Sequence, residues 1–134
     1  MEVKKRAEII QKWIDDYCNS VSFDLNSLVV GISGGIDSSV VSTLCALTGR
    51  KTIVLSMPIN QIESQHGLSI KHSEWLKSKF HNVEFKIIEM DKLFHSFKES
   101  LKDFNNEHGL ANSRARLRMT TLYQVAAANN GIVV

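Results

Sequence analysis

Residues 29–40, VVGISGGIDSSV, join an apolar run to two adjacent glycines, and an aspartate and two serines follow. This order predicts a strand over 28–32, a turn over 33–37 and a helix over 38–47. Glycine-rich turns between a strand and a helix are typical of phosphate-binding sites, because their backbone N–H groups can approach an anion closely. This turn carries a negative charge, Asp37, and no lysine, so its role in phosphate binding needs a further explanation.

The rest of the chain predicts helices that alternate with strands. We expect helices over 3–18, about 61–80, from 91 onward and about 112–129, and strands over 52–57, 83–88 and from 131 onward. The first strand is apolar and the second almost wholly so, whereas the third alternates apolar with charged residues, so we expect the third at an edge. The pattern therefore predicts an α/β fold with a parallel sheet in the order 3-2-1-4 and helices on both faces. Ligands of such sheets bind where the strand order reverses, beside the glycine-rich turn.

The first helix carries an apolar stripe that predicts a core-facing side. Its members recur at helical spacing and include Tyr17, for which we favour core packing over ligand contact. The stripe consists of Ile9, Ile10, Trp13, Ile14, Tyr17 and Cys18.

Composition limits the class of protein. The 134 residues are 43% hydrophobic and carry a net charge of only +2, which predicts one domain over 1–134 and favours neither nucleic acid nor a membrane surface as a partner. Cys18 and Cys45 lack metal-ligand spacing and are expected to be reduced core thiols. The charged N-terminus does not fit a signal peptide, so we expect a cytoplasmic protein.

Two common phosphate loops do not match the turn. The Walker loop needs a lysine after its second glycine, and no lysine lies between Gly31 and Gly49. The dinucleotide loop needs glycines at another spacing. What remains is a turn whose backbone N–H groups at Gly34 and Gly35, with nearby serine hydroxyls, can hold phosphate. Asp37 then fits as a ligand of Mg²⁺ that neutralises the phosphates. The alternative is a tight turn in which Asp37 or Ser38 only caps the helix.

A second motif, ANSRARLRMTTLY, occupies residues 111–123. On a helix, Arg116 and Tyr123 share one face with Met119 and Thr120, whereas Arg114 and Arg118 share another. A planar cation beside an aromatic ring suits a ligand with an anionic group and a flat heterocycle. A solvated basic face with Tyr123 at the edge of the core explains the same residues.

Both motifs resemble one enzyme family. Residues 33–38, SGGIDS, resemble the PP-loop signature of ATP pyrophosphatases, which cleave ATP between the α- and β-phosphates. The pattern formed by Asn112, Ala115, Arg116, Arg118, Met119 and Tyr123 is similar to that of NAD synthetases. The distance of about eighty residues between the motifs also matches, and the resemblance covers essentially the whole chain.

The resemblance implies a Rossmann-like fold of the adenine nucleotide alpha hydrolase type and an amide-forming ligase. Deamido-NAD would be adenylated by ATP with Mg²⁺ and then amidated by ammonia, either free or from a glutaminase elsewhere, with no side-chain nucleophile. Asp37 would hold the metal. Arg116 and Tyr123 would bind deamido-NAD at the interface of a homodimer, and the glycine-rich loop would bind ATP. The implied ATP-binding residues are Gly31, Ser33, Gly34, Gly35, Ile36, Asp37, Ser38 and Ser39. The alternatives are another PP-loop amidoligase and a non-catalytic ATP-binding module.

Two departures from the family pattern affect these expectations. Many members have an arginine shortly before the proline that ends strand two, whereas this chain has Ser56, Met57 and Pro58. The family pattern also continues past Val134 with a second metal carboxylate and lysines near both ligands. We therefore expect the chain to be the N-terminal portion of a synthetase, to bind ATP weakly by itself and to lack turnover.

Overall fold

The computed structural model describes residues 2–60 and 63–134. The strands are β1 (Ser27–Gly31), β2 (Lys51–Ser56), β3 (Val83–Ile87) and β4 (Gly131–Val133). The helices are α1 (Val3–Ser20), α2 (Ile36–Leu47), α3 (Glu63–Lys79), α4 (Asp91–Ser100) and α5 (Glu107–Ala128), with a 3₁₀ turn at Lys102–Phe104. The element order matches the sequence-based expectation. The start of the helix predicted over about 61–80 falls on residues 61–62, outside the described part of the chain.

The strands form one parallel sheet in the order β3-β2-β1-β4, which confirms the predicted order. β1 lies between its partners, with Leu28 opposite both Thr52 of β2 and Ile132 of β4. β3 is an edge strand with exposed charged residues, and Lys51 and Glu84 form an ion pair across β2 and β3. The carboxyl end of β1 therefore lies at the point where the strand order reverses.

Two hydrophobic cores cover the two faces of the sheet. Leu28 and Val30 of β1 point into one core, with residues of α1, α2 and α3, whereas Val29 points into the other, with residues of α4 and α5. Side chains of a strand alternate between the faces, so a strand that is buried on both sides must be apolar at every position. This requirement explains why the central residues of both strands, 28–30 in β1 and 53–55 in β2, are all apolar, and the two cores confirm that helices cover both faces.

The apolar stripe of α1 is buried only in part. Ile14 and Cys18 belong to the core, but Trp13 remains 65% exposed and Tyr17 49% exposed, and the two rings stack on each other at 5.8 Å. Core packing of Tyr17 was therefore the wrong expectation, and Ile9 and Ile10 are exposed as well. The helix lies at the margin of its layer and packs on α2, so a narrow strip of its surface suffices for contact.

The helix predicted over about 112–129 begins earlier, at Glu107. Asn106 is its N-cap, and the side-chain oxygen of Asn106 accepts a hydrogen bond from the backbone N–H of Gly109 at 2.9 Å. Asparagine is among the preferred residues at this position because it satisfies a free N–H of the first turn. The polar residues that precede position 112 therefore include the helix start.

Both cysteines are buried and free, as expected. Burial raises the pKa of the Cys45 thiol to about 12 and also raises the pKa of Cys18. Both thiols are therefore protonated at neutral pH, which makes them poor nucleophiles. Within the described residues, no helix has the length and apolar character needed to cross a bilayer.

Gly131 gives a test of how β4 joins the sheet. A Cβ at this position would clash with Oγ of Ser27 and lie 2.7 Å from the Ser27 carbonyl oxygen. The Ser27 hydroxyl is held by the carbonyl oxygen of Asn129 at 3.0 Å, so it has little freedom to move away. We expect Gly131→Ala to lower the free energy of unfolding by about 1–3 kcal/mol, measured by urea denaturation.

Gly67→Ala is the matched control, because a Cβ there meets no atom within 4 Å and the residue lies in helix α3. This variant should raise the free energy of unfolding by about 1 kcal/mol through helix propensity. A Gly131→Ala protein as stable as the parent would contradict the close packing of β4 against β1.

Candidate functional site

A cleft of about 860 Å³ opens at the carboxyl ends of β1 and β2. Residues 31–35 of the β1–α2 turn form one wall, and Met57, which follows β2, lies beside them. The first turns of α3 contribute Gln65, and α5 contributes Arg114 and Arg118. Its volume is in the range usual for small-molecule sites, and its position is the one expected for a ligand of a parallel sheet.

Gly34 sets the shape of the turn. Its φ of +89° lies in the left-handed region, and a Cβ there would be 2.5 Å from the backbone oxygen of Gln65. Any other residue would therefore be strained in its backbone and would also collide with the start of α3. The turn and α3 approach each other closely because this position has no side chain.

The serine hydroxyls stabilise the turn. Ser38 Oγ accepts a hydrogen bond from the backbone N–H of Ser33 at 3.2 Å and donates to the carbonyl oxygen of Gly35 at 3.1 Å. Ser39 Oγ donates to the same carbonyl oxygen at 2.9 Å, and the N–H of Gly35 donates to Ser33 Oγ at 3.1 Å. These contacts fix the chain direction between β1 and α2 and leave the backbone of the turn rigid.

The N-cap residue of α2 is Gly35, which has no side chain and therefore provides no side-chain cap. The contacts of Ser38 Oγ with the Ser33 N–H and the Gly35 carbonyl oxygen are also compatible with the alternative in which the serine only stabilises the helix start. Because the first N–H groups of a helix lack partners within the helix, an uncapped N-terminus beside a cleft can bind an anion.

Asp37 lies in the first turn of α2 with its side chain exposed. Among residues 2–60 and 63–134, no group of three or more His, Cys, Asp and Glu side chains is placed to hold a metal ion. Mg²⁺ at nucleotide sites is usually held by one or two carboxylates together with the phosphates of the substrate. A single exposed carboxylate beside a phosphate-binding turn fits that mode.

The cleft brings some of the expected site residues together but not all. Gly31, Ser33, Gly34 and Gly35 line it, and residues 36–39 follow directly in the first turn of α2. Arg116 and Tyr123 do not line the cleft, and Tyr123 is 61% exposed on another side of α5. Arg114 and Arg118 share the cleft-lining face of α5, but Met119, which was predicted on the face of Arg116 and Tyr123, lines the cleft as well.

Arg118 is the cleft residue that the sequence analysis did not assign to a ligand. Its Nε donates a hydrogen bond to the carbonyl oxygen of Met57 at 2.9 Å. Burial lowers the pKa of Arg118, and the positive charge of Arg114 lowers it further. The guanidinium carbon of Arg114 lies 5.4 Å from the ring centre of Phe94, within cation–π range. The four-residue spacing of Arg114 and Arg118 predicted that they share a helix face, but it did not predict that this face lines the cleft.

His72 joins α3 to α2 behind the turn. Its Nε2 lies 2.9 Å from Oγ of Ser42, whose hydroxyl is 3.0 Å from the carbonyl oxygen of Ser39. Burial lowers the pKa of His72, so the ring is neutral at physiological pH. The histidine therefore supports the helix that follows the loop and does not line the cleft.

Comparison with known proteins gives a consistent result. A family model described as NAD synthase matches residues 6–134. The NH3-dependent NAD+ synthetase of Mesoplasma florum is 36% identical over 139 aligned residues, which cover 100% of this chain and 54% of that protein.

Two solved structures are also similar, each at 29% identity and over 99% of this chain. One is an NMN synthetase from Francisella tularensis with a TM-score of 0.88, of which 53% is covered. The other is an NH3-dependent NAD synthetase from Campylobacter jejuni with a TM-score of 0.85, of which 56% is covered. The chain spans about half the length of the relatives it matches. The fold, the loop and these matches together show that the chain belongs to the NAD synthase family.

Proposed function

We propose that the protein carrying this chain is a ligase that converts deamido-NAD to NAD. The carboxylate of deamido-NAD attacks the α-phosphate of ATP, pyrophosphate leaves, and ammonia then displaces AMP to form the amide. The family match over residues 6–134 supports this reaction. The observation that carries it is the glycine-rich turn at the wall of the cleft, where α2 begins directly after Gly35, an N-cap residue without a side chain.

The chain contributes placement and charge stabilisation in this proposal. The first N–H groups of α2 would point at the phosphates, because the N–H of Gly35 already donates to Ser33 Oγ, and the serine hydroxyls keep the turn rigid. Asp37 would hold Mg²⁺, which neutralises phosphate charge when bound. No side-chain nucleophile is required, because the substrate carboxylate and ammonia are themselves the nucleophiles. Rate enhancement then comes from holding the reactants at the right distance and orientation and from fixed dipoles around the phosphates.

Deamido-NAD is assigned to the other face of α5. Arg116 and Tyr123 are exposed there, where a guanidinium and an aromatic ring are available to an anionic, planar ligand. Because this face does not line the cleft, a second surface is needed to enclose the dinucleotide. A homodimer in which α5 meets a second copy supplies that surface. We also propose a cytoplasmic location, where the nucleotides of this reaction are found.

A second candidate substrate comes from the similarity to an NMN synthetase, with which the chain shares 29% identity and a TM-score of 0.88. In that case the acid form of NMN would be amidated by the same chemistry. The two substrates share the nicotinate ribosyl phosphate and differ in the AMP half of the dinucleotide. A direct comparison of the two acids distinguishes the candidates.

The reaction can be tested on the protein that carries this chain, supplied with ATP, Mg²⁺ and ammonia and with either deamido-NAD or the acid form of NMN as acceptor. We expect pyrophosphate and AMP to be released in equal amounts only when an acceptor is present, and deamido-NAD to give the higher kcat/KM. Preference for the mononucleotide would favour the second candidate. ATP cleavage that is independent of both acceptors would contradict the amidation proposal.

Asp37→Asn tests the metal site. Loss of one charge should raise the Kd for ATP about tenfold in the presence of Mg²⁺, and should leave the Kd without Mg²⁺ unchanged. Asp24→Asn is the control, since Asp24 is an exposed aspartate that precedes β1 at the opposite end of the sheet. Unchanged Mg²⁺-dependent affinity in Asp37→Asn would falsify the metal role.

Arg116→Ala tests the assignment of the second substrate. Removal of a charged hydrogen-bond donor should weaken deamido-NAD binding by about 10- to 100-fold and leave ATP affinity within about twofold of the parent. Calorimetric titration with each ligand measures both values, and exposed Arg6 on α1, changed to alanine, is the matched control. If ATP affinity falls by the same factor as deamido-NAD affinity, Arg116 does not distinguish the two ligands.

A further inference from the structure

The glycine-rich turn carries no positive side chain. Asp37 is the only ionisable residue in residues 29–40, and its charge is negative. Backbone N–H groups and hydroxyls can orient the phosphates of a nucleoside triphosphate, and one Mg²⁺ at Asp37 would neutralise only part of their negative charge. A cleft that holds such a ligand therefore needs positive side chains from another element.

Arg118 and Arg114 line the same cleft from α5, one helical turn apart. Within the described residues, neither guanidinium forms an ion pair with a carboxylate. Burial and the neighbouring charge of Arg114 both lower the pKa of Arg118, because each of them disfavours the charged form. Such a pair is costly without an anion and becomes favourable when one binds.

Arg118 is held in a defined orientation. Its Nε donates to the Met57 carbonyl oxygen at 2.9 Å, and within the described residues the N–H donors of its two Nη atoms make no hydrogen bond. Arg114 is supported on the Phe94 ring at 5.4 Å. A guanidinium fixed through Nε presents its Nη atoms as a planar fork, which matches the geometry of phosphate oxygens.

We propose that Arg118, with Arg114 beside it, binds the phosphates of the nucleotide from the wall of the cleft opposite the glycine-rich turn. The proposal rests on the proposed function, because it requires a nucleoside triphosphate in this cleft. The turn then supplies directed N–H groups, and α5 supplies the positive charge that residues 29–40 lack. Arg118 is a binding residue for phosphate, distinct from Arg116, which faces away from the cleft.

The test compares Arg118→Gln with the parent protein by calorimetric titration with MgATP, magnesium tripolyphosphate, adenosine and deamido-NAD. We expect the Kd for MgATP and for tripolyphosphate to rise about 10- to 100-fold, with adenosine and deamido-NAD unchanged. Arg114→Gln should show the same pattern with a smaller factor. Lys77→Gln, which removes an exposed charge in the last turn of α3, should change no affinity.

A purely structural role would give another pattern. The bond to Met57 joins α5 to the segment after β2, so its loss alone would weaken adenosine and MgATP equally, and that result overturns the proposal. Unchanged MgATP affinity, or a selective loss of deamido-NAD affinity, also overturns it and leaves the proposed function intact. Failure of the parent protein to bind MgATP overturns both. Thermal unfolding of each variant shows whether the fold is preserved.

Discussion

The close contact between Gly34 and the backbone of Gln65 is the constraint on which the site depends. The left-handed φ of Gly34 turns the chain sharply at the end of β1, and the missing side chain lets α3 approach the turn. The serine hydroxyls then fix the turn so that α2 begins directly after it with an uncapped N-terminus. A larger residue at this one position would move α3, the turn and the helix start together, since all three meet there.

α5 divides its residues between two surfaces. Successive residues of an α-helix are rotated by about 100°, so arginines two positions apart point in nearly opposite directions. Arg114 and Arg118 therefore share the cleft, whereas Arg116 between them is exposed with Tyr123. One short motif can thus serve two ligands, one on each side of the helix.

The sheet was predictable, and the details of the helices were less so. An apolar strand without alternation has to be central in a parallel sheet, because both of its faces are covered, and β1 and β2 satisfy this condition. The exposed stripe of α1 was not predictable from periodicity, which reports that a helix is amphipathic but not how wide a strip its neighbours cover. The start of α5 was not predicted, because it depends on the cap hydrogen bond of Asn106 and the polar residues around it do not show a helical pattern.

The amino-acid sequence by itself determined the strand order, the glycine-rich turn at the carboxyl end of β1 and the membership of both motifs in one family pattern. These features follow from local chemistry, since burial on both faces demands apolar strands and the left-handed turn demands glycine. Only the tertiary structure decided which arginines line the cleft. That choice depends on how α5 is rotated about its axis where it packs on β1 and β4, and this rotation is set by contacts between distant residues such as Arg118 and Met57.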